Sequence, residues 1–587
     1  MTSAKLSICI HGHFYQPPRE NPWTGRIDPQ PSAAPFHDWN ARITRECYWP
    51  NSCARILDAA HRTRDVSINY AHISFNFGPT LLSWLEHHQR PTYEAILAAD
   101  HEACRMHHGH GAAIAQVYHH LIMPLTNARD RRTQVIWGVR DFEARFGRAP
   151  EGMWLAEAAV DLPTLEDLAS QQIRFTILAP HQASAVRALD ASESGWQEVG
   201  GAHGPLDTSR PYLCRLPSGE QIAIFFYDGD LSRAVAFDGL LHDGVHFARR
   251  LCDRPQGLSH IATDGESYGH HHRHGEMALA YALKEIASRD DVSLTVYGEY
   301  LEHHPPTHEV RIHERTSWSC AHGIERWRSD CGCSTGAPSN RPSNQRWRAP
   351  LRDALDWLRD TCNASTEALA GRLFLDPWQA RDAWIDLLHH RVEARDFFAE
   401  HARDGEAEEE HTLWLELQHH LMLMYTSCGW FFHDLAGIET IQLLLYAGKA
   451  IELHQRLLKE TEPGLLGGFL DHLSRAMSNQ GVRGDTLFLE EVYPFLGASH
   501  APHLETSTDV LLHTALEALR DGREERLEQA CHAIEYVRRR HRSGIDLALL
   551  APLQAAMLRH LQSHGQAPRR DVEHRLVTLL GISREIF

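Results

Sequence analysis

Two carboxylates stand at the ends of short apolar runs. Glu157 ends GMWLAE, and Asp264 follows the run in SHIATDGES. Each has a plain structural explanation: Glu157 suits a helix N-terminus, and Asp264 with the next glycine suits an Asx turn. As a pair at two strand ends they match the needs of glycosidic bond cleavage. One carboxylate then acts as nucleophile or base, and a carboxylic acid protonates the leaving oxygen.

Aromatic side chains of the kind that stack on sugar rings accompany these carboxylates. They are Tyr15, Trp23, Trp154, Tyr227, Tyr268, Trp318 and Trp327. Taken singly, each is more often part of a hydrophobic core. Together they favour a carbohydrate over a small polar substrate.

The segment HGHFYQPPRENPW (11–23) brings hydrogen-bonding groups to the end of the first apolar run. A metal site, a sugar site and a plain turn could each use His11, His13 and Gln16. Alone, the segment favours none of them. Considered with the two carboxylates, the histidines are expected to bind sugar hydroxyls, and the two prolines stiffen their loop.

Such groups meet only if a fold brings strand ends together. Strand-like runs alternate with helical stretches at 6–10, 68–77, 152–157, 175–179, 221–227, 259–263 and 293–298. This alternation indicates βαβ units and a parallel sheet. Seven strands in about 300 residues suit a (β/α) barrel, whose chemistry gathers at the carboxyl ends of the strands.

A second region follows a loop-like stretch at 329–347, which is rich in Gly, Pro, Ser and Asn. Apolar residues then recur at helical spacing, as at Leu527, Ala530, Ile534 and Val537. We therefore expect a catalytic domain at 1–328, a linker at 329–347 and an α-helical domain at 348–587.

Composition narrows the class of protein. A length of 587 residues exceeds one hydrophobic core, and 43% apolar with 23% charged residues is ordinary for a globular protein. The net charge of -19 argues against nucleic-acid and anionic-membrane surfaces. With no transmembrane run or signal peptide expected, the 12 cysteines predict reduced thiols in the cytoplasm. The histidine pairs at 87–88, 119–120 and 389–390 are interpreted as surface composition.

Six segments in order resemble the motifs of glycoside hydrolase family 57. They lie at HGHFYQPP (11–18), SFNFGPTLLSWLE (74–86), 108–125, 152–183, IATDGESYGHHHRHGEMAL (261–279) and TSCGWFFHDLAGIETIQLLL (426–445). The resemblance implies an α/β fold, an incomplete (β/α)7 barrel followed by a mainly α-helical C-terminal domain. It also implies a retaining enzyme that acts on an α-glucan oligo- or polysaccharide without a metal or cofactor.

Residue by residue, the resemblance makes Glu157 the nucleophile and Asp264 the general acid/base. It places His11 and His13 against the sugar, with Trp430 closing the cleft from the helical region. Further substrate contacts are expected from Gln16, Trp154, Tyr268, His270 and Trp318.

Two departures from the family pattern suggest a divergent subgroup. The second motif carries no acid and has only Gln116, and Gly429 stands where relatives often have an aspartate before the tryptophan. Substrate and linkage preference, and the choice between hydrolysis, transfer and branching, therefore stay open.

Three alternatives compete with this interpretation. In the first, a metal-dependent deacetylase would use the His11/His13 pair, Asp264 and the histidines at 270–274 as zinc ligands. Those last histidines begin six residues after the aspartate, so most would point away from the strand end. In the second, a non-catalytic glucan-binding protein would have no reason to keep both carboxylates.

The third alternative is a metal site in WSCAHGIERWRSDCGC (318–333). Three cysteines and a histidine, Cys320, His322, Cys331 and Cys333, could bind zinc, but their spacing is not that of a standard zinc ribbon. We expect instead a loop over the cleft. It would bring Trp318, Arg326, Trp327 and Arg328 near the substrate.

Overall fold

The computed structural model of the protein describes ten stretches of the chain. They are 6–190, 195–200, 203–254, 256–337, 342–403, 408–459, 464–498, 506–540, 547–563 and 571–583. Part of the expected linker, 338–341, thus lies outside the described residues. The chain divides into unit 1 (Met1–Pro18, Gln30–Glu325 and Trp378–His401) and unit 2 (Arg19–Pro29, Arg326–Pro377 and Ala402–Phe587). The domain boundaries expected from the sequence stay a prediction.

The strands of the described residues all belong to unit 1. They are β1 Leu6–Phe14, β2 Ala54–Leu57, β3 Thr63–Ser67, β4 Ser74–Phe77, β5 Ala115–Gln116, β6 Met153–Trp154, β7 Phe175–Leu178, β8 Ala183–Ala188, β9 Gln197–Glu198, β10 Tyr212–Arg215, β11 Gln221–Phe226, β12 Gly257–Asp264, β13 Val292–Leu294 and β14 His308–Ile312.

The helices of unit 1 alternate with these strands and include two that come later in the chain. They are α1 Trp39–Ile43, α2 Trp49–Ser52, α3 Pro79–His88, α4 Arg90–Met106, α5 Ala128–Phe146, α6 Leu162–Ser170, α7 Gly229–Ala236, α8 Gly244–Leu251, α9 Gly275–Ala287, α10 Tyr297–His303, α12 Pro377–Leu388 and α13 Ala394–His401.

The regular elements of unit 2 in the described residues are helices, and the helical C-terminal region that the sequence predicted is confirmed. Its helices are α11 Arg348–Leu373, α14 Glu408–Leu423, α15 Cys428–Phe431, α16 Ile438–Leu458, α17 Gly464–Leu473, α18 Gly484–Glu491, α19 Ser507–Asp521, α20 Glu524–Arg540, α21 Leu547–Ser563 and α22 Asp571–Leu579. The apolar stripe predicted on α20, from Leu527 to Val537, is fully buried. None of the described helices combines the length and apolarity needed to cross a bilayer.

Strand β1 is the centre of the parallel pairing. It pairs with β12 along its length, from Leu6 opposite Gly257 to His13 opposite Asp264, and its last residues pair with β4. The strand continues through Phe14, so both motif histidines lie within it rather than after it as the sequence suggested. All nine residues of β1 are buried, because a strand between parallel neighbours has no solvent-facing side. Polar residues such as the two histidines can therefore continue the strand beside its apolar residues.

The parallel order continues around unit 1 from β4. A bridge joins Phe75 to Ala113, β5 pairs with β6, a bridge joins Gly152 to Phe175, and β7 pairs with β11. The order is therefore β12-β1-β4-β5-β6-β7-β11, and the Asp228 backbone N–H after β11 donates to the His260 carbonyl of β12. The two-residue strand β5 was not predicted because it is too short to show a periodic pattern.

The run at 293–298, expected as the last strand, is mostly something else. Only Val292–Leu294 is a strand, and α10 begins at Tyr297. A further set of strands extends the sheet from β11 in the order β10-β14-β8-β9, with mainly antiparallel neighbours.

Helices next to the strand ends begin with side-chain caps. The Asp161 carboxylate accepts from the Thr164 N–H at the start of α6, and Asn127 accepts from the Asp130 N–H at the start of α5. Helix α5 ends at Gly147, which has φ 69° and closes the helix in the left-handed conformation. These local signals fix where the chain turns back toward the next strand.

Helix α5 packs directly on β5, and Gly138 makes this contact possible. A Cβ atom at Gly138 would lie 2.2 Å from the Gln116 carbonyl oxygen. We expect Gly138→Ala to destabilise the protein by about 1–3 kcal/mol, because backbone would have to move. Urea unfolding followed by circular dichroism measures this change.

Gly371 in α11 supplies the control for that substitution, since a Cβ atom added there would meet nothing within 4 Å. Gly371→Ala should be neutral or stabilise by up to about 1 kcal/mol, the usual helix preference for alanine. Equal effects of the two substitutions would show that the α5–β5 contact does not constrain the helix.

Candidate active site

Glu157 lies on a strained turn just after β6. The turn is a 3₁₀ helix, Ala156–Ala158, in which Glu157 has φ 57° and ψ 23°. Residues other than glycine and asparagine rarely adopt this left-handed backbone conformation. Such strain is often found at functional sites. The Trp318 N–H donates to the Glu157 carbonyl oxygen at 3.0 Å, which helps to hold the turn.

Two side chains donate to the Glu157 carboxylate from one loop. The Trp318 indole Nε1 lies 3.1 Å and the Ser319 hydroxyl 2.6 Å from Glu157 Oε2. Hydrogen bonds of this kind stabilise the ionised carboxylate and fix its direction. An ionised, oriented carboxylate is what a nucleophile at a strand end requires.

Asp264 ends β12, on the strand next to the motif histidines. Protein surrounds its carboxyl group on most sides, yet the residue keeps a solvent-exposed face. Burial, and then the negative charge of Glu157, raise the pKa of Asp264 to about 7. A carboxyl group that keeps its proton near neutral pH can act as a general acid.

Glu266 is a second acid beside Asp264, buried and facing away from solvent. Its Oε1 accepts from the Tyr15 N–H at 3.0 Å and from the Tyr48 hydroxyl at 2.6 Å. Burial, and then the charge of Asp264, raise the pKa of Glu266 to about 8. Asp264 and Glu266 are therefore neighbouring acids whose pKa values both lie above their ordinary range.

A polar network fixes the two motif histidines. The ring nitrogens of His11 lie 3.0 Å from the Ser74 hydroxyl and 3.1 Å from Asn76 Oδ1. Asn76 also contacts His13 and donates to Gln116 at 2.8 Å. Burial lowers the pKa of His11 to about 3 and that of His13 well below its ordinary value, so both rings are neutral.

Trp154 lies beneath these histidines. The rings of His11 and His13 stack on its indole with centroid separations of 5.1 and 4.9 Å, and Trp318 meets its edge at 4.9 Å. Trp154 and His11 are both 0% exposed. In this structure the two residues support the site from below the accessible surface, and their contact with a sugar stays a prediction.

The histidine pair at 119–120 corrects another expectation. His119 and His120 are buried, not surface residues. His120 stacks on Tyr15 with centroids 3.9 Å apart, and its Nε2 lies 3.3 Å from Nε2 of His13. Burial lowers the pKa of His120 to about 3, so this ring is also neutral and extends the network beyond His13.

Other predicted contacts lie in different surroundings. Tyr268 is 0% exposed and its hydroxyl contacts Thr263, so it too does not reach the accessible surface. His270 contacts the Glu46 carboxylate at 2.5 Å, and half-buried Gln16 donates to the Tyr15 carbonyl. Substrate contacts of His270 and Gln16 stay predictions.

Trp430 lies in the interior of unit 2. Its side chain is 0% exposed, its Nε1 donates to the Arg348 carbonyl at 3.4 Å, and the Arg352 guanidinium lies 4.5 Å above its ring. Trp23 is likewise buried in unit 2, where its Nε1 donates to Glu452 at 2.8 Å. The predicted role of Trp430 in closing a cleft stays a prediction.

Sequence reasoning missed three residues of the site. Asn76 comes two residues after Ser74 in the strand SFNF, so the two side chains lie on the same face. The strand period therefore indicated the inward position of Asn76. Glu266 comes two residues after Asp264, where an acid beside a candidate catalytic acid was a usable signal. Ser319 gave no signal, because its contact with Glu157 depends on the fold of a distant loop.

Comparison with known proteins adds to this geometry. Residues 58–313 match the model described as glycosyl hydrolase family 57, and residues 344–556 match a domain of unknown function, DUF3536. No curated protein matches the sequence.

Three solved structures are similar in fold. A maltose-forming exo-amylase from Pyrococcus sp. ST04 has a TM-score of 0.61 at 13% identity, covering 97% of this chain and 95% of that chain. A family 57 branching enzyme from Thermococcus kodakaraensis gives 0.49 at 14%, covering 83% and 96%. The α-amylase AmyC from Thermotoga maritima gives 0.48 at 12%, covering 83% and 99%. At these identities, the similarity to the first of these structures is a similarity of fold only, and no property of this chain follows from the other two.

The family match and the fold define a carbohydrate-active enzyme with an α/β region followed by a helical one. The region 58–313 is similar to glycosyl hydrolase family 57. The resemblance inferred from the sequence motifs is therefore confirmed.

The raised pKa of Glu266 makes a prediction about stability. Its pKa lies near 4.3 in the unfolded chain and about 8 in the folded protein, so the unfolded state releases the proton first as pH rises. Wild type should therefore lose stability between about pH 4.5 and 8 relative to Glu266→Gln. The difference should reach roughly 5 kcal/mol at pH 9, at about 1.4 kcal/mol per pKa unit.

Urea unfolding at pH 5, 7 and 9 tests this prediction. Glu285→Gln, on the exposed face of α9, is the control. Its difference in unfolding free energy from wild type should change little with pH. If Glu266→Gln followed the wild-type pH dependence, Glu266 would be ionised in the folded protein.

Proposed function

We propose that the protein is a retaining glycoside hydrolase or transglycosylase that acts on α-glucans. Glu157 is the nucleophile and Asp264 the general acid/base. The observation that carries the proposal is the pair of carboxyl groups at the ends of two parallel strands. Trp318 and Ser319 hold Glu157 by hydrogen bonds, while burial, and then the charge of Glu157, raise the pKa of Asp264 to about 7. Pairs of carboxyl groups with separated pKa values divide naturally into acid and nucleophile.

The chemistry is a double displacement. A Glu157 oxygen attacks the anomeric carbon, and the bond to the leaving oxygen breaks as Asp264 gives that oxygen its proton. In the second half, Asp264 removes a proton from the acceptor hydroxyl, which attacks the anomeric carbon and frees Glu157. Water as acceptor gives hydrolysis, and a sugar hydroxyl gives transfer or branching.

The charge of Glu157 also prepares Asp264 for its second role. Burial is the larger cause of the raised pKa of Asp264, and the charge of Glu157 adds to it. Glycosylation turns Glu157 into a neutral ester and removes that added contribution. The pKa of Asp264 then falls, so the carboxylate that acts as base is formed at the step that needs it. Each half of the reaction sets the protonation state for the other.

The incomplete (β/α)7 barrel is part of the proposal. Its support is the parallel order of seven strands, β12-β1-β4-β5-β6-β7-β11, with Glu157 after β6 and Asp264 at the end of β12. Chemistry at the carboxyl ends of parallel strands is the general rule for barrels. The α-glucan substrate is suggested by the name of the structural neighbour with the TM-score of 0.61, a maltose-forming amylase. We also propose a cytoplasmic location, since all twelve cysteines lie among the described residues as thiols.

The metal-dependent rival has less support. Both ring nitrogens of His11 face Ser74 and Asn76, and His270 faces Glu46. Within the described stretches, the group of side chains with metal-ligand spacing lies at 320–333 and includes none of these histidines. A hydrolase mechanism through zinc at the strand ends therefore lacks a set of ligands.

Removing the nucleophile should stop the reaction while leaving the fold intact. Glu157→Gln should lower kcat on maltoheptaose by at least about a thousandfold, since covalent catalysis is lost. Glu285→Gln, exposed on α9, should keep wild-type activity. Chromatographic sizing of the products separates transfer, which gives longer chains, from hydrolysis, which gives only shorter ones. A fully active Glu157→Gln would move the nucleophile elsewhere.

The pH profile of kcat/KM tests the assignment of Asp264. Its pKa of about 7 means that the proton donor is lost above pH 7, so kcat/KM should fall roughly tenfold per pH unit on the alkaline side. With α-maltosyl fluoride, whose leaving group needs little protonation, that decline should flatten. The same alkaline decline with both substrates would argue against Asp264 as the acid.

A further inference from the structure

Four potential metal ligands converge in one continuous segment of the chain. The Sγ atoms of Cys320, Cys331 and Cys333 and an imidazole nitrogen of His322 all lie within 4.8 Å of one another. All four are thiols or imidazoles rather than carboxylates, and the cysteines form no disulfide. This concentration of soft ligands has no part in the proposed glycosidic chemistry.

The donor set fits zinc. Three thiolates and one imidazole are a common tetrahedral set, with Zn–S bonds of about 2.3 Å and Zn–N bonds of about 2.0 Å. Those bonds hold ligand atoms roughly 3.5–4 Å apart. Small side-chain rotations bring atoms that already lie within 4.8 Å to that spacing.

The positive charge of an arginine beside Cys331 also favours a metal-bound thiolate. Arg348 is 0% exposed, and its Nη1 lies 3.8 Å from Cys331 Sγ. A buried guanidinium is stable only beside anionic or strongly accepting groups, and a metal-bound thiolate is such a group. Three thiolates around Zn²⁺ carry one net negative charge, which this arginine balances.

We propose that residues 320–333 bind a structural Zn²⁺ ion through Cys320, His322, Cys331 and Cys333. Four protein ligands complete the tetrahedron and leave no position for substrate, so the site is structural rather than catalytic. The regular structure between the ligands is a single 3₁₀ turn, Glu325–Trp327. In a segment with so little secondary structure, metal bonds supply the folding energy.

The metal also has a consequence for the candidate active site. Cys320 directly follows Trp318 and Ser319, the two residues that donate to Glu157 Oε2. Local hydrogen bonds continue from there, since the Gly323 N–H donates to the Cys320 carbonyl and Ser317 donates to the Gly323 carbonyl. Fixing Cys320 therefore fixes the two donors that orient the proposed nucleophile.

Metal analysis of the full-length protein tests the site without reference to activity. Elemental analysis after purification in zinc-containing buffer should give one zinc per chain. The double variant Cys331→Ser/Cys333→Ser should hold less than a tenth of that. Cys104→Ser, a half-buried cysteine outside the segment, is the matched control and should keep one zinc. A wild-type protein without zinc, or a double variant that keeps it, would overturn the proposal.

Cobalt substitution identifies the ligands and guards against a variant that fails to fold. Co²⁺ in the wild-type site should show the thiolate charge-transfer absorption and intense visible bands of a tetrahedral site. His322→Cys should keep one metal ion with a changed cobalt spectrum, because a fourth thiolate replaces the imidazole. Octahedral cobalt bands in the wild type, or an unchanged spectrum in His322→Cys, would contradict the ligand set.

Activity is measured separately on the same samples. Chelation of zinc should lower kcat on maltoheptaose, with recovery on adding zinc, because the donors to Glu157 lose their anchor. A chain that holds zinc but cleaves no glucan would contradict the proposed function and leave the metal site standing. A fully active chain that never holds zinc would contradict the metal site and leave the proposed function standing.

Discussion

The parallel pairing of β1 with β12 and β4 determines where the candidate catalytic groups lie. Because His13 is opposite Asp264 on one side and opposite Asn76 on the other, the network and the acid share one level of the sheet. A shift of register by one residue would turn every one of these side chains to the opposite face. The apolar residues that hold β1 in place, such as Ile8 and Ile10, are thus as necessary to the site as its polar groups.

The buried histidines beside β1 have to be uncharged in this arrangement. Three imidazoles, those of His11, His13 and His120, lie together in the interior, and burial keeps each of them uncharged. Hydrogen bonds to Ser74 and Asn76 offset the cost of burying polar rings. Cationic rings here would lower the pKa of a nearby carboxyl group, so their neutrality preserves the proton on Asp264.

Much of the fold could be predicted from the sequence, and the reasons for the failures are physical. The alternation of strands and helices and the helical C-terminal region were visible in the apolar periodicity. Strand β5 was missed because two residues show no period, and the end of β1 was placed too early because its histidines are buried in the strand. Composition suggested exposure for His119 and His120, whereas stacking and hydrogen bonds bury them.

Glu157 and Asp264 could be selected from sequence because each follows an apolar run, but the partners that tune them could not. Ser319 reaches Glu157 through a loop fold that no local pattern encodes. The family match confirms the class of enzyme, while the roles of individual residues rest on the geometry.

The left-handed backbone of Glu157 has an evolutionary consequence. Glycine or asparagine would adopt φ 57° with less strain, so selection for stability alone would remove glutamate from this position. A relative that had lost its activity would be expected to drift toward those residues. The backbone conformation of Glu157 is therefore a cost in stability that the function of its carboxylate would offset.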